Sequence, residues 1–204
     1  MKVIGLTGGT GSGKSVVSRL LEKEGAVIVD ADKISREIVE IGKPAYQEIV
    51  SYFGDGILQQ DGCIFRKKLG EIVFSDKEKL EFLNQCTHKY IAQEMEKQIA
   101  HAKAENQAIC IVLDAPLLFE AGLEKICDAV WVVYAAKDVR VLRIMQRDGI
   151  SEEMARARIA NQKTWAEYHD LSDLVLDNSR DTIHLQKQVK QALQTISNVK
   201  VNGK

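Results

Sequence analysis

The alternation of apolar and polar positions along the 204-residue chain predicts β-strands and α-helices in turn. Five short runs are almost continuously apolar, which is typical of strands covered on both faces in a parallel sheet. They span residues 2–7, 26–30, 108–114, 129–135 and 173–177. Helical patterns separate these runs, so the sequence predicts an α/β fold with a five-stranded parallel sheet flanked by helices.

Several predicted helices begin at recognisable capping residues. Ser75 and Glu78 match a capping box that would open a long helix reaching about residue 105, and Ser151 would cap "EEMARARIANQ". A last helix is expected over about 182–196, followed by a frayed tail, "NVKVNGK". The gap between residues 30 and 108 is much longer than a strand crossover needs. We therefore expect a helical insertion beside the sheet, which would hold a second substrate or form a cap without a ligand.

Glycines are concentrated between the first strand and the first helix, in "TGGTGSGKS". Gly8, Gly13, Lys14 and Ser15 match G-x-x-x-x-G-K-[ST], the phosphate-binding P-loop, in the strand–helix context that the motif requires. Glycine lets backbone N–H groups approach an anion closely, and Lys14 would reach the β- and γ-phosphates. The alternative is a glycine-rich turn that binds nothing. The residues expected to bind the nucleotide are Gly9, Thr10, Gly11, Ser12, Gly13, Lys14, Ser15 and Val16.

Charge and cysteine content exclude several classes of protein. With 28 basic and 29 acidic residues mixed along the chain, the net charge is −1, which argues against a nucleic-acid or acidic-membrane surface. The four cysteines are isolated, without a C-x-x-C pair, which is typical of reduced thiols. No run reaches transmembrane length and no signal-peptide pattern precedes the first strand. A cytoplasmic protein with no membrane partner is expected.

Other motifs narrow the choice among nucleotide-binding proteins. The chain lacks the N-K-x-D motif with which GTPases bind guanine. Asp114 ends an apolar strand and could assist Mg²⁺ together with the Ser15 hydroxyl, but "APLLFE" follows it rather than a GTPase switch motif. A small-molecule kinase using ATP and Mg²⁺ is the favoured interpretation. A nucleotide-binding switch without transferase activity is the alternative from a different class.

A set of motifs in order then resembles the dephospho-CoA kinase family over nearly the whole chain. They are "IGLTGGTGSGKS", "VIVDADKISREIV", "APLLFEAGL", "RIMQRDGIS…ARARIANQ" and "LVLDNS". The resemblance implies one P-loop NTPase domain over 1–204, with a helical CoA-binding insertion at about 44–105 and a lid at about 138–165. It also implies that MgATP phosphorylates the ribose 3′-hydroxyl of dephospho-CoA, the last step of coenzyme A synthesis. A monomer or small homo-oligomer is expected, and another small-molecule P-loop kinase remains an alternative.

Two acidic residues follow the second strand, at the end where α/β sheets place their ligands. The family motif puts the catalytic base on Asp32, which would accept the proton of the attacking hydroxyl. Capping of the next helix is the competing role, especially for Asp30.

Three arginines in the predicted lid are spaced so that one helical face can present them all: Arg140, Arg143 and Arg147. By the resemblance, Arg143 and Arg147 are lid arginines that act with Lys14 on the charge of the transferring phosphoryl group. No role is assigned to Arg140. A solvated basic helix face is the alternative.

The expected substrate contacts are more scattered. Arg66 matches an arginine in the family's "dG-x-x-x-R-x-x-L" segment and would hold CoA phosphates, with a surface salt bridge as the alternative. His88 aligns with a family His-Pro pair, although a lone histidine is more often structural. Leu117 and Glu120, in "PLLFE", would contact the substrate or the lid, and Leu117 is equally consistent with core packing.

Overall fold

The computed structural model describes residues 1–199, and it confirms the α/β fold with a parallel sheet of five strands. The strands are β1 (Val3–Thr7), β2 (Val27–Asp30), β3 (Ile111–Asp114), β4 (Ala129–Tyr134) and β5 (Leu174–Asp177). Each lies within its predicted apolar run. Their order across the sheet is β2-β3-β1-β4-β5, and β1 pairs in parallel with both β3 and β4.

The helices alternate with these strands and supply most of the remaining secondary structure. They are α1 (Lys14–Lys23), α2 (Ala31–Glu37), α3 (Pro44–Phe53), α4 (Arg66–Phe74), α5 (Lys77–Glu105), α6 (Lys137–Asp148), α7 (Glu152–Ala160), α8 (Trp165–Asp170) and α9 (Thr182–Val199). Short 3₁₀ turns occupy Asp55–Ile57 and Leu123–Ile126. The last helix extends beyond the predicted end at residue 196, and the predicted frayed tail over 200–204 lies outside the described residues.

The chain divides into two compact units, one formed by Met1–Val29 with the described chain from Ala102 onward, the other by Asp30–His101. In the first unit the sheet is the core, and every residue of β1 and β3 is buried. Helix α1 covers it with Val17, Leu20 and Leu21, and α9 covers it with Leu185 and Val189. Strands buried on both faces must be apolar throughout, which explains the runs in the sequence.

The Asp30–His101 unit is built from helices and connecting turns. Tyr52 stacks on Phe82 with ring centroids 3.7 Å apart. The Tyr90 hydroxyl donates to Glu48 at 2.8 Å, and the Lys89 ammonium donates to the same carboxylate at 3.2 Å. These contacts join α3 to α5 within this unit.

One predicted helix cap is confirmed and another is wrong. The Ser151 side chain accepts from the Met154 N–H and caps α7 as expected. The capping box on Ser75 and Glu78 is not formed, because Ser75 lies at the end of α4 and its hydroxyl donates to carbonyls of that helix. The neighbouring carboxylate of Asp76 caps α5 instead, accepting from two backbone N–H groups of its first turn. Serine and aspartate are both good N-cap residues. Ser75 is already hydrogen-bonded to the last turn of α4, so Asp76 is the residue that caps α5.

Two further observations bear on the sequence-based expectations. All four cysteines are free thiols. Within residues 1–199, no helix combines the length and the apolar character needed to cross a bilayer.

Candidate active site

The P-loop connects β1 to α1 as a tight backbone arch. Gly11 and Gly13 have φ values of 77° and 88°, a conformation that L side chains rarely adopt. Space is equally restrictive, because a Cβ on Gly11 would lie 2.8 Å from the Arg140 carbonyl oxygen and one on Gly13 would collide with the Asn178 amide. The Ser12 N–H donates to the Gly9 carbonyl at 3.0 Å and closes the arch. The glycines therefore allow the backbone conformation of the loop and leave room for Arg140 and Asn178 beside it.

Asn178, the residue that follows β5, is hydrogen-bonded to this loop. Its side-chain amide donates to the Ser12 carbonyl at 2.8 Å, and its backbone N–H donates to the Tyr134 carbonyl at the end of β4. The contact is possible because β4 and β5 are paired in register, Tyr134 opposite Asp177, so both strands end beside the loop. Asn178 belongs to the "LVLDNS" motif, but its contact with the loop depends on strand order rather than on local pattern.

Lys14 and Asp114 form an ion pair at the base of the loop. Lys14 is the first residue of α1, and Asp114 is the last residue of β3, opposite Leu6 of β1. Their side chains are 17% and 9% exposed, so the pair is largely shielded from water. The predicted phosphate-binding lysine and the predicted metal-assisting aspartate are thus in direct contact.

The donor set beside the loop fits Mg²⁺. Ser15 lies in the first turn of α1 with an exposed side chain, and the Asp114 carboxylate lies behind the loop. Mg²⁺ commonly takes one or two protein oxygens and completes its shell with phosphate oxygens and water. Among the residues that the structure describes, no group of three or more His, Cys, Asp or Glu side chains forms a separate metal cluster. The Ser15 hydroxyl and the Asp114 carboxylate are thus two oxygen donors of the kind that Mg²⁺ takes.

The two arginines assigned to the predicted lid differ sharply in their contacts. The Arg143 guanidinium donates to the carbonyls of Gly11 and Ser12 at 3.3 Å and to the Asn178 carbonyl at 2.9 Å. Arg147 lies away from the loop, is 62% exposed on its side chain, and pairs with the adjacent Asp148. The structure thus brings Arg143 to the phosphate-binding loop and leaves Arg147 at the surface.

Arg140, to which the sequence assigns no role, also contacts the loop. Its Nε donates to the Thr10 carbonyl at 2.8 Å. Its Nη2 donates at 3.0 Å to the side-chain oxygen of Gln162, which in turn accepts from the Thr10 N–H at 2.9 Å. The i, i+3 spacing with Arg143 was the available signal, since it puts both residues on the face of α6 that meets the loop.

The segment after β3 contributes the remaining predicted residues of this unit. Leu117 is 64% exposed, so its side chain is not part of the core, whereas Leu118 is fully buried. Glu120 forms an ion pair with Lys163 at 3.7 Å, which joins this segment to the end of the predicted lid. The Thr7 hydroxyl donates to the Pro116 carbonyl and fixes the turn next to β1.

The other three predicted residues belong to the Asp30–His101 unit. Asp30 is the N-cap of α2 and accepts a hydrogen bond from the Lys33 N–H at 2.9 Å. Asp32 lies exposed in the first turn of α2 and does not cap the helix. Arg66 begins α4 and lines a mostly apolar cavity of about 310 Å³ with Val39, Leu69 and other side chains of this unit. His88 is exposed on α5.

Comparison with known proteins gives a consistent result over most of the chain. The family model for dephospho-CoA kinase matches residues 2–184. The dephospho-CoA kinase of Carboxydothermus hydrogenoformans is 44% identical over 194 residues, covering 95% of this chain and 94% of that protein. That of Shouchella clausii is 42% identical over 190 residues, covering 93% and 96%. Among solved structures, dephospho-CoA kinase from Campylobacter jejuni has a TM-score of 0.72 at 30% identity, covering 97% of this chain and 98% of that one.

Proposed function

The chain belongs to the dephospho-CoA kinase family, and on that premise we propose that it transfers the terminal phosphoryl group of ATP to the ribose 3′-hydroxyl of dephospho-CoA, giving CoA and ADP. This would be the last step of coenzyme A synthesis. The observation that supports the acceptor is the family match over residues 2–184. The loop geometry by itself supports only the binding of a phosphorylated nucleotide.

The phosphate-binding loop would position the donor. Its backbone N–H groups and the start of α1 offer an anion site. Lys14 would bind the β- and γ-phosphates, exchanging its contact with Asp114 for contacts with phosphate oxygens. Ser15 and Asp114 would hold Mg²⁺, which when bound supplies positive charge against the phosphate oxygens.

Proton and charge movements are assigned to three side chains. Asp32 would accept the proton of the 3′-hydroxyl as its oxygen bonds to the γ-phosphorus and the bond to the bridging oxygen of ADP breaks. Asp30 caps α2, so the Asp32 carboxylate is not used as a cap, and this supports its role as the base. Arg143 would stabilise charge at the loop, and Arg147 would join it on lid closure.

Substrate contacts are proposed for residues of both units. Arg66, beside a cavity with apolar walls, suits a ligand that combines phosphates with a long aliphatic arm. His88 would add a further contact to the CoA moiety. Leu117 and Glu120 would contact the acceptor or the lid, since one is exposed and the other is already bonded to Lys163. We also propose a cytoplasmic enzyme acting as a monomer or small homo-oligomer.

Acceptor-dependent ADP release tests this proposal. Purified protein with MgATP is assayed with dephospho-CoA, and beside it with adenosine, AMP and shikimate. ADP formed only with dephospho-CoA supports the proposed acceptor. ADP formed with one of the others instead would assign the chain to a different small-molecule kinase activity.

A further inference from the structure

Gln162 is the shared acceptor of two hydrogen-bond donors at the P-loop. Its side-chain Oε1 accepts two hydrogen bonds, from the Thr10 N–H at 2.9 Å and from Arg140 Nη2 at 3.0 Å. One donor is a backbone amide of the P-loop and the other is a guanidinium, the pair of donor types that proteins use for anions. The acceptor that they share here is a neutral amide, which satisfies the geometry without supplying negative charge.

Arg140 contacts neutral acceptors at the P-loop. Among the described residues, no carboxylate lies within ion-pair distance of its guanidinium, and the ionisable groups that influence it most are the phenols of Tyr168 and Tyr134. Burial lowers the pKa of Arg140, which reflects the cost of removing this charge from water. Shielded charges in proteins are normally paired with an opposite charge. The Arg140 guanidinium lies beside a loop that binds anions, so an anionic ligand bound there would supply its counter-ion.

The position of Arg140 is closely fitted to the loop. Its Nε donates to the Thr10 carbonyl at 2.8 Å, so both backbone polar groups of Thr10 are hydrogen-bonded to side chains of Arg140 and Gln162. A Cβ on Gly9 would collide with the Arg140 guanidinium and lie 3.1 Å from Gln162 Oε1. Gly9 therefore leaves the space in which the guanidinium and the amide oxygen meet over the loop.

We propose that this position is an anion subsite for the terminal phosphate of the nucleotide. A γ-phosphate oxygen would replace Gln162 Oε1, accepting from the Thr10 N–H and from Arg140 Nη2, and Gln162 is a neutral placeholder that the nucleotide displaces. Arg140 is then a third arginine of the donor site, distinct from Arg143, which is bonded to loop carbonyls. This rests on the proposed use of ATP as the phosphoryl donor.

The two side chains therefore have opposite effects on the affinity for ATP. Removing the Gln162 side chain leaves the Thr10 N–H and Arg140 Nη2 available to the phosphate before the nucleotide binds. Removing the charge of Arg140 weakens the attraction for the phosphate. A purely structural role for Gln162 predicts the reverse sign, because loss of its bond would loosen the loop and weaken nucleotide binding.

Equilibrium titration with a β,γ-imido analogue of ATP, and in parallel with ADP, measures these effects without an acceptor present. Gln162→Ala, and Gln162→Ser as a second replacement, are expected to bind the analogue about threefold more tightly than the wild type. Arg140→Gln is expected to bind it at least about tenfold more weakly, with Arg140→Lys in between. ADP affinity is expected to change less than about twofold in every variant.

Matched controls come from the same lid. Gln146→Ala removes an exposed amide of α6, and Arg156→Gln removes a partly exposed arginine that pairs with Glu152, so neither is expected to change the affinity for the analogue. Thermal unfolding confirms that each variant is folded before titration.

The proposal is overturned if Gln162→Ala and Gln162→Ser bind the analogue no more tightly than the wild type. Equal effects of Arg140→Gln on the analogue and on ADP would overturn it too, since the subsite would then not hold the terminal phosphate. Because dephospho-CoA is absent, a wrong assignment of the acceptor leaves these affinities unchanged and is detected only in the acceptor assay.

Discussion

The Lys14 ammonium is paired with the Asp114 carboxylate, so the first residue of α1 is joined to the last residue of β3. The carboxylate is almost completely shielded from water. An anion in this position needs a cation, because an unpaired shielded charge costs several kcal/mol. The pair thus holds Lys14, the lysine proposed to bind phosphate, in place and neutralises the carboxylate.

Replacing Lys14 by methionine is expected to affect both stability and activity. The Asp114 carboxylate loses its partner, and the free energy of unfolding should fall by about 3 kcal/mol. The double variant Lys14→Met/Asp114→Asn should recover most of the lost stability, because the unpaired Asp114 charge is removed as well. It should recover none of the turnover, because the contact of Lys14 with the phosphates is still missing. Urea unfolding and steady-state kinetics measure the two effects. Unchanged stability in Lys14→Met would contradict the coupling.

Replacing Asp114 by asparagine is expected to raise the Mg²⁺ concentration that gives half-maximal activity. A neutral amide oxygen is a weaker ligand for a hard cation than a carboxylate oxygen. A Mg²⁺ titration of kcat at saturating ATP measures the effect. Asp138→Asn, at an exposed acid near the start of α6, serves as the control for loss of one negative charge. The same Mg²⁺ dependence in Asp114→Asn and in the wild type would remove Asp114 from the metal site.

Asp30 and Asp32 provide a matched test of the catalytic base. Asp32→Asn is expected to lower kcat by at least about 100-fold while leaving the affinity for ATP nearly unchanged, because a base acts on the acceptor hydroxyl. Asp30→Asn should retain turnover, since asparagine caps helices as well as aspartate and can accept the Lys33 bond. Full activity in Asp32→Asn, or an equal loss in both variants, would exclude Asp32 as the specific base.

Arg143 and Arg147 are expected to respond differently to replacement by lysine. Arg143→Lys loses a guanidinium that bonds three backbone carbonyls, so the free energy of unfolding should fall by about 2 kcal/mol as turnover falls. In Arg147→Lys stability should change by less than about 1 kcal/mol, because exposed ion pairs contribute little. Its kcat should still fall if it acts on lid closure. Wild-type kcat in Arg147→Lys would remove it from the catalytic set.

The sheet and the phosphate-binding loop could be predicted from the sequence because local pattern determines them. Strands covered on both faces require apolar residues throughout, and the loop requires glycines, Lys14 and Ser15 in one order. The capping error at Ser75 has a local cause, since two adjacent N-cap residues compete and only the extent of α4 decides between them.

The contacts of Asn178, Arg140 and Gln162 with the loop could not be predicted in the same way. Each depends on which strands and helices end beside β1, and the sequence separation from the loop exceeds 100 residues in every case. Periodicity could place Arg140 on the face of α6 that carries Arg143. It could not show that the face meets carbonyl oxygens of the loop rather than solvent.

The position of the new phosphate on the product tests the central claim most directly. Purified protein is incubated with MgATP and dephospho-CoA, and the product is analysed by mass spectrometry and by ³¹P NMR. The account predicts one added phosphoryl group, bonded as a monoester to the ribose 3′-oxygen, with one ADP formed for each CoA. A phosphate at another position of dephospho-CoA, or ADP formed without a phosphorylated product, would contradict it.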